Sequence, residues 1–212
     1  MSTLPSAKFE QLRARMVKDH IAARGVGNAH VLRAMGTVPR ETFVPEALQE
    51  FAYDDAPLPI AAGQTISQPL IVAEMLDAAG IKPGDRVLEV GAGSGYAAAV
   101  MSRIASQVFT IERHHELATS ARQRLKDLAY HNVQVLTGDG TLGWALHAPF
   151  DVIIVSAGGP AAPKSLLQQL AVGGRLVIPV GSTTRSQRLV RVTRVSSDEY
   201  LEDDWVACSS CR

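Results

Sequence analysis

Val87-Leu88-Glu89-Val90-Gly91-Ala92-Gly93-Ser94-Gly95-Tyr96 passes from a short apolar run into alternating glycines, then into a helical stretch that begins at Tyr96. Glycines at 91, 93 and 95 permit a tight strand-to-helix turn and close approach of a ligand to the backbone. A dinucleotide fingerprint places its third glycine one position later, where this chain has Tyr96. That spacing speaks against a dinucleotide oxidoreductase. With Glu89 on the preceding strand, the loop suits a ligand without a pyrophosphate. S-adenosylmethionine, built from an amino-acid end, a sulfonium and an adenosine, is such a ligand. Taken alone, the loop is also compatible with a plain turn.

Strand and helix alternate outward from this loop. Helices are expected over Ile71 to Ala79, Tyr96 to Ile104, His115 to Leu128 and Pro163 to Leu170, the last with proline in its first turn. Strands are expected over Val87 to Val90, Val108 to Ile111, Val133 to Leu136, Asp151 to Val155 and Arg175 to Val180. Arg188 to Val195 alternates Leu/Val with Arg/Thr and reads as a half-exposed antiparallel strand. The fold class implied is α/β: a doubly wound, mostly parallel, Rossmann-like sheet with helices on both faces. Ligands of such sheets bind at the carboxyl ends of the strands, where the topology switches.

Toward the N-terminus, Phe9, Leu12 and Met16 recur at helical spacing, with Gly25 as a C-cap. Asn28 is placed to cap a second helix through Met35, which should end before Pro39. Five prolines between Pro39 and Pro69 predict an irregular but ordered segment. The chain reads as a single domain: an N-terminal helical and irregular substrate-side segment (1–70), a cofactor-binding core (71–200) and a tail (201–212).

Two acidic positions fall in register with the glycine loop. Glu112 ends the second strand 21 residues after Gly91, near the offset at which a carboxylate accepts both ribose hydroxyls of an adenosine. Asp139, in Gly138-Asp139-Gly140 after the third strand, can accept from an exocyclic amine while Gly140 leaves room for the ring. The fourth feature is the strip Gly63-Gln64-Thr65-Ile66-Ser67-Gln68-Pro69, two hydroxyls and two amides around one apolar residue.

At this strip the chain resembles the protein-L-isoaspartate (D-aspartate) O-methyltransferases, from about Val38 to Gly181. The likeness includes the Val38 to Pro45 segment (VPRETFVP), Ala52-Tyr53-Asp54-Asp55, Pro57-Leu58-Pro59-Ile60, the Gly63 to Pro69 strip, Gly138-Asp139-Gly140, and the runs Phe150 to Val155 and Gln169 to Gly181. Many methyltransferases share the glycine loop; Thr65-Ile66-Ser67-Gln68-Pro69 is far more specific. The resemblance implies a repair enzyme that methylates the free carboxylate of isoaspartyl or D-aspartyl residues in damaged proteins. Ser67 matches the family's active-site hydroxyl, and Gln64, Thr65 and Ile66 match surrounding cofactor and substrate contacts. The expected cofactor set is Gln64, Thr65, Ile66, Ser67, Glu89, Gly91, Gly93, Gly95, Glu112, Asp139 and Gly140. Two other readings keep part of this: an aspartate methyltransferase of a dedicated peptide-maturation pathway, and an inactive recognition module.

Lys plus Arg equals Asp plus Glu at 21 each, so neither nucleic acid nor an anionic membrane surface is an expected partner. No apolar run approaches the ~20 residues of a membrane span, and residues 1–10 lack the apolar core of a secretory signal. A cytoplasmic monomer without a metal is expected; the six histidines show no ligand spacing. Cys208-Ser209-Ser210-Cys211 permits a local disulfide or half of a metal site, a reduced tail being the plainer reading. The family runs through a further strand here with a Phe-Val-Pro-Leu-like sequence, whereas this chain has Asp204-Trp205-Val206-Ala207. No C-terminal contacts are therefore carried over.

Overall fold

The computed structural model describes residues 6–181 and 187–205. Helix α1 (Ser6–Arg15) runs into a wide-turned segment, Met16–Ile21, and a tight 3-10 turn, Ala22–Arg24, that stops at Gly25 in the left-handed conformation expected of a cap. Asn28 caps α2 (Ala29–Thr37), its side-chain oxygen accepting from the amides of His30 and Val31. The helix extends two residues beyond Met35. It stops at Val38 (ψ 122°), because the residue before a proline is driven out of the helical region.

The proline-rich segment is ordered and made of short 3-10 turns (Arg40–Phe43, Glu46–Phe51, Ala61–Gly63) and a small hairpin. In that hairpin β1 (Leu58–Pro59) pairs antiparallel with β2 (Thr65–Ile66), with Leu58 opposite Ile66. The remaining helices are α3 (Pro69–Ala78), α4 (Tyr96–Ser102), α5 (His115–Asp127) and α6 (Lys164–Gln168). The remaining strands are β3 (Arg86–Val90), β4 (Gln107–Glu112), β5 (Val133–Thr137), β6 (Phe150–Val155), β7 (Leu170–Val180), β8 (Arg188–Arg194) and β9 (Tyr200–Trp205). They form one seven-stranded sheet in the order β5-β4-β3-β6-β7-β8-β9. Strands β3 to β7 pair in parallel; β8 and β9 add an antiparallel edge. The order reverses at β3, which has β4 on one side and β6 on the other.

Alternation along the strands divides the core. Val87, Val108, Val152, Ile154 and Val177 face a cluster built with α1 to α4, while Leu88, Phe109, Ile111, Ile153 and Leu176 face the other side, toward α6. Full burial of each such side chain contributes about 1.5–3 kcal/mol.

Two expectations need correction. Helix α6 ends at Gln168, and Leu170, expected at its end, opens β7. Leu170 is fully buried and pairs with Phe150 ahead of an irregularity in register, so sheet pairing overrides local helical preference. Residues from Leu201 do not simply trail off either. Strand β9 pairs with β8 through Arg191 to Asp203 and Arg188 to Asp204 and Glu202, a row of cross-strand charges that helix or strand periodicity does not reveal. Cys208 and Cys211 lie outside the described residues.

Candidate active site

The carboxyl ends of β3, β4, β5 and β6 converge on one region. After β3, Gly91, Gly93 and Gly95 take φ values of 96°, 53° and 89°, a left-handed series that other residues resist. The amides of Gly91 and Ala92 both donate to the Ile111 carbonyl, which fastens the loop to the end of β4. Gly95 lines neither of the two cavities at this site. It lets α5 pack close, since a Cβ there would lie 3.4 Å from Ala121 and Leu125. Arg124 of α5 donates to the Ser94 carbonyl at 2.8 Å and holds the same loop from outside. Tyr96, read as a missing glycine, turns inward and is buried edge-on against Phe43.

Glu112 is buried at the end of β4. Its Oε2 accepts from the Gly93 amide and its Oε1 from the His114 amide, both at 2.9 Å. Asp139 is exposed, and Oδ1 accepts from the amide and hydroxyl of Thr141, which holds its carboxyl below the usual range. Gly140 is buried against β3. A Cβ there would stand 2.3 Å from Val90 Cγ1, and Val90 is itself a wall of the cavity beside Asp139. Gly140→Ala is therefore expected to cost about 1–3 kcal/mol by overpacking and to weaken binding of an adenosyl ligand. Thermal unfolding with and without S-adenosylhomocysteine checks this; an unchanged midpoint in both conditions would refute it.

The hairpin β1–β2 carries the strip across the loop, so that a Cβ on Gly93 would touch Ile60 at 3.6 Å. Two adjoining cavities result. One, of about 200 Å³, is lined by Ser67, Glu89, Gly93, Tyr96 and Ser156, among others. The other, of about 500 Å³, is lined by Val90, His114, Asp139, Gly140 and Thr141, among others. Gln64, Gly91, Glu112 and Ala157 border both, so Glu112 stands at the junction. Of the expected residues, Thr65 and Ile66 also line the smaller cavity. Residues following β6, Ser156 and Ala157, were not expected; their position at a strand's carboxyl end was the available signal. Among the described residues no group of three or more His, Cys, Asp or Glu is placed to hold a metal.

Glu89 is a fully buried carboxyl in the site. It points to the same face as Val87, accepts from the Thr110 hydroxyl at 2.6 Å, and has Oε1 buried without a partner. Burial pushes its carboxyl up to about 8; the Thr110 hydroxyl pulls it back, and the charge of Glu112 adds to the rise. Because the folded value lies above the unfolded value of 4.5, the stabilisation is complete below 4.5 and is lost as pH rises toward 8. Glu89→Gln should remove a slope of up to about 1.4 kcal/mol per pH unit in the ligand-free protein. Urea unfolding of both forms at pH 5, 6.5 and 8 measures it; parallel profiles would sink the assignment.

A switch-point glycine loop, an acidic residue closing the next strand and a two-lobed cavity at the strand ends define a methyltransferase of the S-adenosylmethionine-dependent, Rossmann-like class. The family model described as Protein-L-isoaspartate(D-aspartate) O-methyltransferase (PCMT) matches residues 11–209. The chain belongs to that family. It is 58% identical over 192 residues to Protein-L-isoaspartate O-methyltransferase 1 of Geotalea uraniireducens, covering 91% of this chain and 88% of the relative. It is 54% identical over 201 residues to Protein-L-isoaspartate O-methyltransferase 2 of Pelobacter propionicus, covering 94% and 89%. A solved protein-L-isoaspartate O-methyltransferase aligns with a TM-score of 0.76 and 30% identity over 95% of this chain and 66% of its own length.

Proposed function

We propose that this chain transfers the methyl group of S-adenosylmethionine to the free carboxylate of L-isoaspartyl, and D-aspartyl, residues in damaged proteins, the first step of their repair. The observation that carries the reading is the junction of the Thr65 to Pro69 strip with the glycine loop in one cavity, Ser67 and Glu89 both lining it. The residues fit the cofactor. Glu89, buried with Oε1 unpartnered and facing the small cavity, would gain the counter-charge of an ammonium. Glu112, which borders both cavities, would accept from the ribose hydroxyls, and Gly140, where a Cβ would meet Val90, would leave room for the adenine ring beside Asp139.

When bound, S-adenosylmethionine would supply a methyl group activated by its sulfonium, for transfer to the substrate carboxylate with S-adenosylhomocysteine as the leaving group. The chain's own work is alignment. A carboxylate, with a pKa near ~4, is already ionised at neutral pH, so no general base is required. Holding oxygen, carbon and sulfur in line can supply about 7–11 kcal/mol at best. Ser67 orients the carboxylate by donating its hydroxyl hydrogen and is not a nucleophile. Gln64, Thr65 and Ile66 border the cofactor and the incoming peptide.

The same reading takes the protein as a monomer of the cytoplasm, acting on isoaspartyl-containing proteins without a nucleic-acid or membrane partner. Equal numbers of basic and acidic residues speak against a nucleic-acid or anionic-membrane partner. Incubation with labelled S-adenosylmethionine and paired peptides, one L-isoaspartyl and one L-aspartyl, is the test. Label is expected on the isoaspartyl peptide. Label on the normal peptide alone points to a dedicated maturation enzyme, label on neither to a recognition module, and both overturn the proposal.

A further inference from the structure

The segment Val38 to Pro45 has no role in the chemistry above, yet it holds the most deeply buried cation described. Arg40 is 0% exposed. Its Nε donates to the Ala52 carbonyl and its Nη2 to the Ser67 carbonyl, both at 2.7 Å, and its guanidinium lies 4.7 Å over the Tyr96 ring. Among the described residues no carboxylate pairs with it. The adjacent Glu41 is engaged with Tyr53 and Arg13 instead. Arg40 Nη1 and the Tyr96 hydroxyl are both buried without a hydrogen-bond partner.

An unpaired buried cation is costly, and two carbonyls with one aromatic face offset only part of that cost. The uncompensated charge of Arg40 faces the Tyr96 side chain, and among the described residues no carboxylate supplies a counter-charge. The residue whose carbonyl Arg40 grips is Ser67, and Tyr96 lines the same small cavity. We propose that Arg40 is a positioning residue for the substrate: it clamps the Ser67 backbone from the buried side and supplies the positive field that holds the isoaspartyl carboxylate. This rests on Ser67 marking the carboxylate site. Guanidinium geometry matters because Lys, a point charge, cannot bridge two carbonyls in one plane.

The test compares the wild type with Arg40→Lys and Arg40→Met, using an isoaspartyl peptide as substrate, its methyl ester as competitor and S-adenosylhomocysteine as cofactor probe. Arg40→Lys should keep the peptide KM and lower kcat about 10-fold, one lost clamp bond. Arg40→Met should lower kcat/KM at least about 100-fold, by loss of both clamp and charge. It should also erase the preference for free carboxylate over ester, a ratio that a merely structural role would not move. Both variants should hold S-adenosylhomocysteine within about threefold of wild type. The inference is overturned if Arg40→Met matches wild-type kcat/KM, or if cofactor affinity falls in step with activity. Should Arg40→Met not fold, Arg40→Lys decides: unchanged kcat with wild-type melting overturns the clamp. A wild type that fails on the isoaspartyl peptide overturns the functional reading itself, whereas an active wild type with indifferent variants overturns only the role of Arg40.

Discussion

Glu112→Gln is expected to raise the dissociation constant for S-adenosylmethionine about 100-fold, with a smaller loss of stability in the free protein. Both carboxylate oxygens already accept backbone amides, from Gly93 and His114. An amide of the same shape must present its NH2 to one of those donors, so one loop anchor becomes a repulsive contact. The variant also loses charge-assisted bonds to the ribose, each about 1.5–3 kcal/mol, and 1.4 kcal/mol is a factor of ten in affinity. The damage should reach Gly93 and through it the whole loop. Calorimetric titration with S-adenosylhomocysteine measures it. Affinity within threefold of wild type would show that Glu112 serves only as a loop anchor.

Ser67→Ala should lower kcat/KM for an isoaspartyl peptide by about 10- to 100-fold, the value of one hydrogen bond to a charged group. Cofactor affinity should be retained. The contrast follows from what fixes each part of the residue. Its carbonyl is held by Arg40, which the substitution leaves alone, and no described residue bonds its hydroxyl. Only the contact with the arriving carboxylate is removed. Steady-state kinetics with the peptide varied and cofactor saturating checks this. Full activity would rule out an orienting hydroxyl, and complete inactivity with intact binding would call for a larger role than orientation.

The glycine turn and the position of Glu112 beside it were legible because they are written in local constraints. Glycines at alternate positions after an apolar strand force a left-handed series, and a residue ending the next parallel strand must sit beside it; Glu112 follows from strand length and register alone. The hairpin that brings Ser67 over the loop was less legible. Its strands have two residues each, too short for periodicity, and the prolines around it suggested only irregular order. Asp139 behaved differently again, since one of its oxygens is engaged by Thr141, leaving Oδ2 for a ligand. Strand β9 escaped because Glu202-Asp203-Asp204 interrupts any apolar alternation between Tyr200 and Trp205. It is held by its ladder with β8, by charge pairs across that ladder, and by Tyr200 and Trp205 packed against the core at its two ends.

By itself the sequence determined the α/β class, the turn at Gly91 to Gly95 and the placing of Glu112 and Asp139 at strand ends beside it. Those depend on φ limits, side-chain periodicity and spacing along one segment. The tertiary structure alone decided that burial raises the Glu89 carboxyl above its ordinary value, that Gly95 serves helix packing, and that Arg40 grips carbonyls 12 and 27 residues away. Each of these is set by neighbours distant in the chain and by the water they exclude.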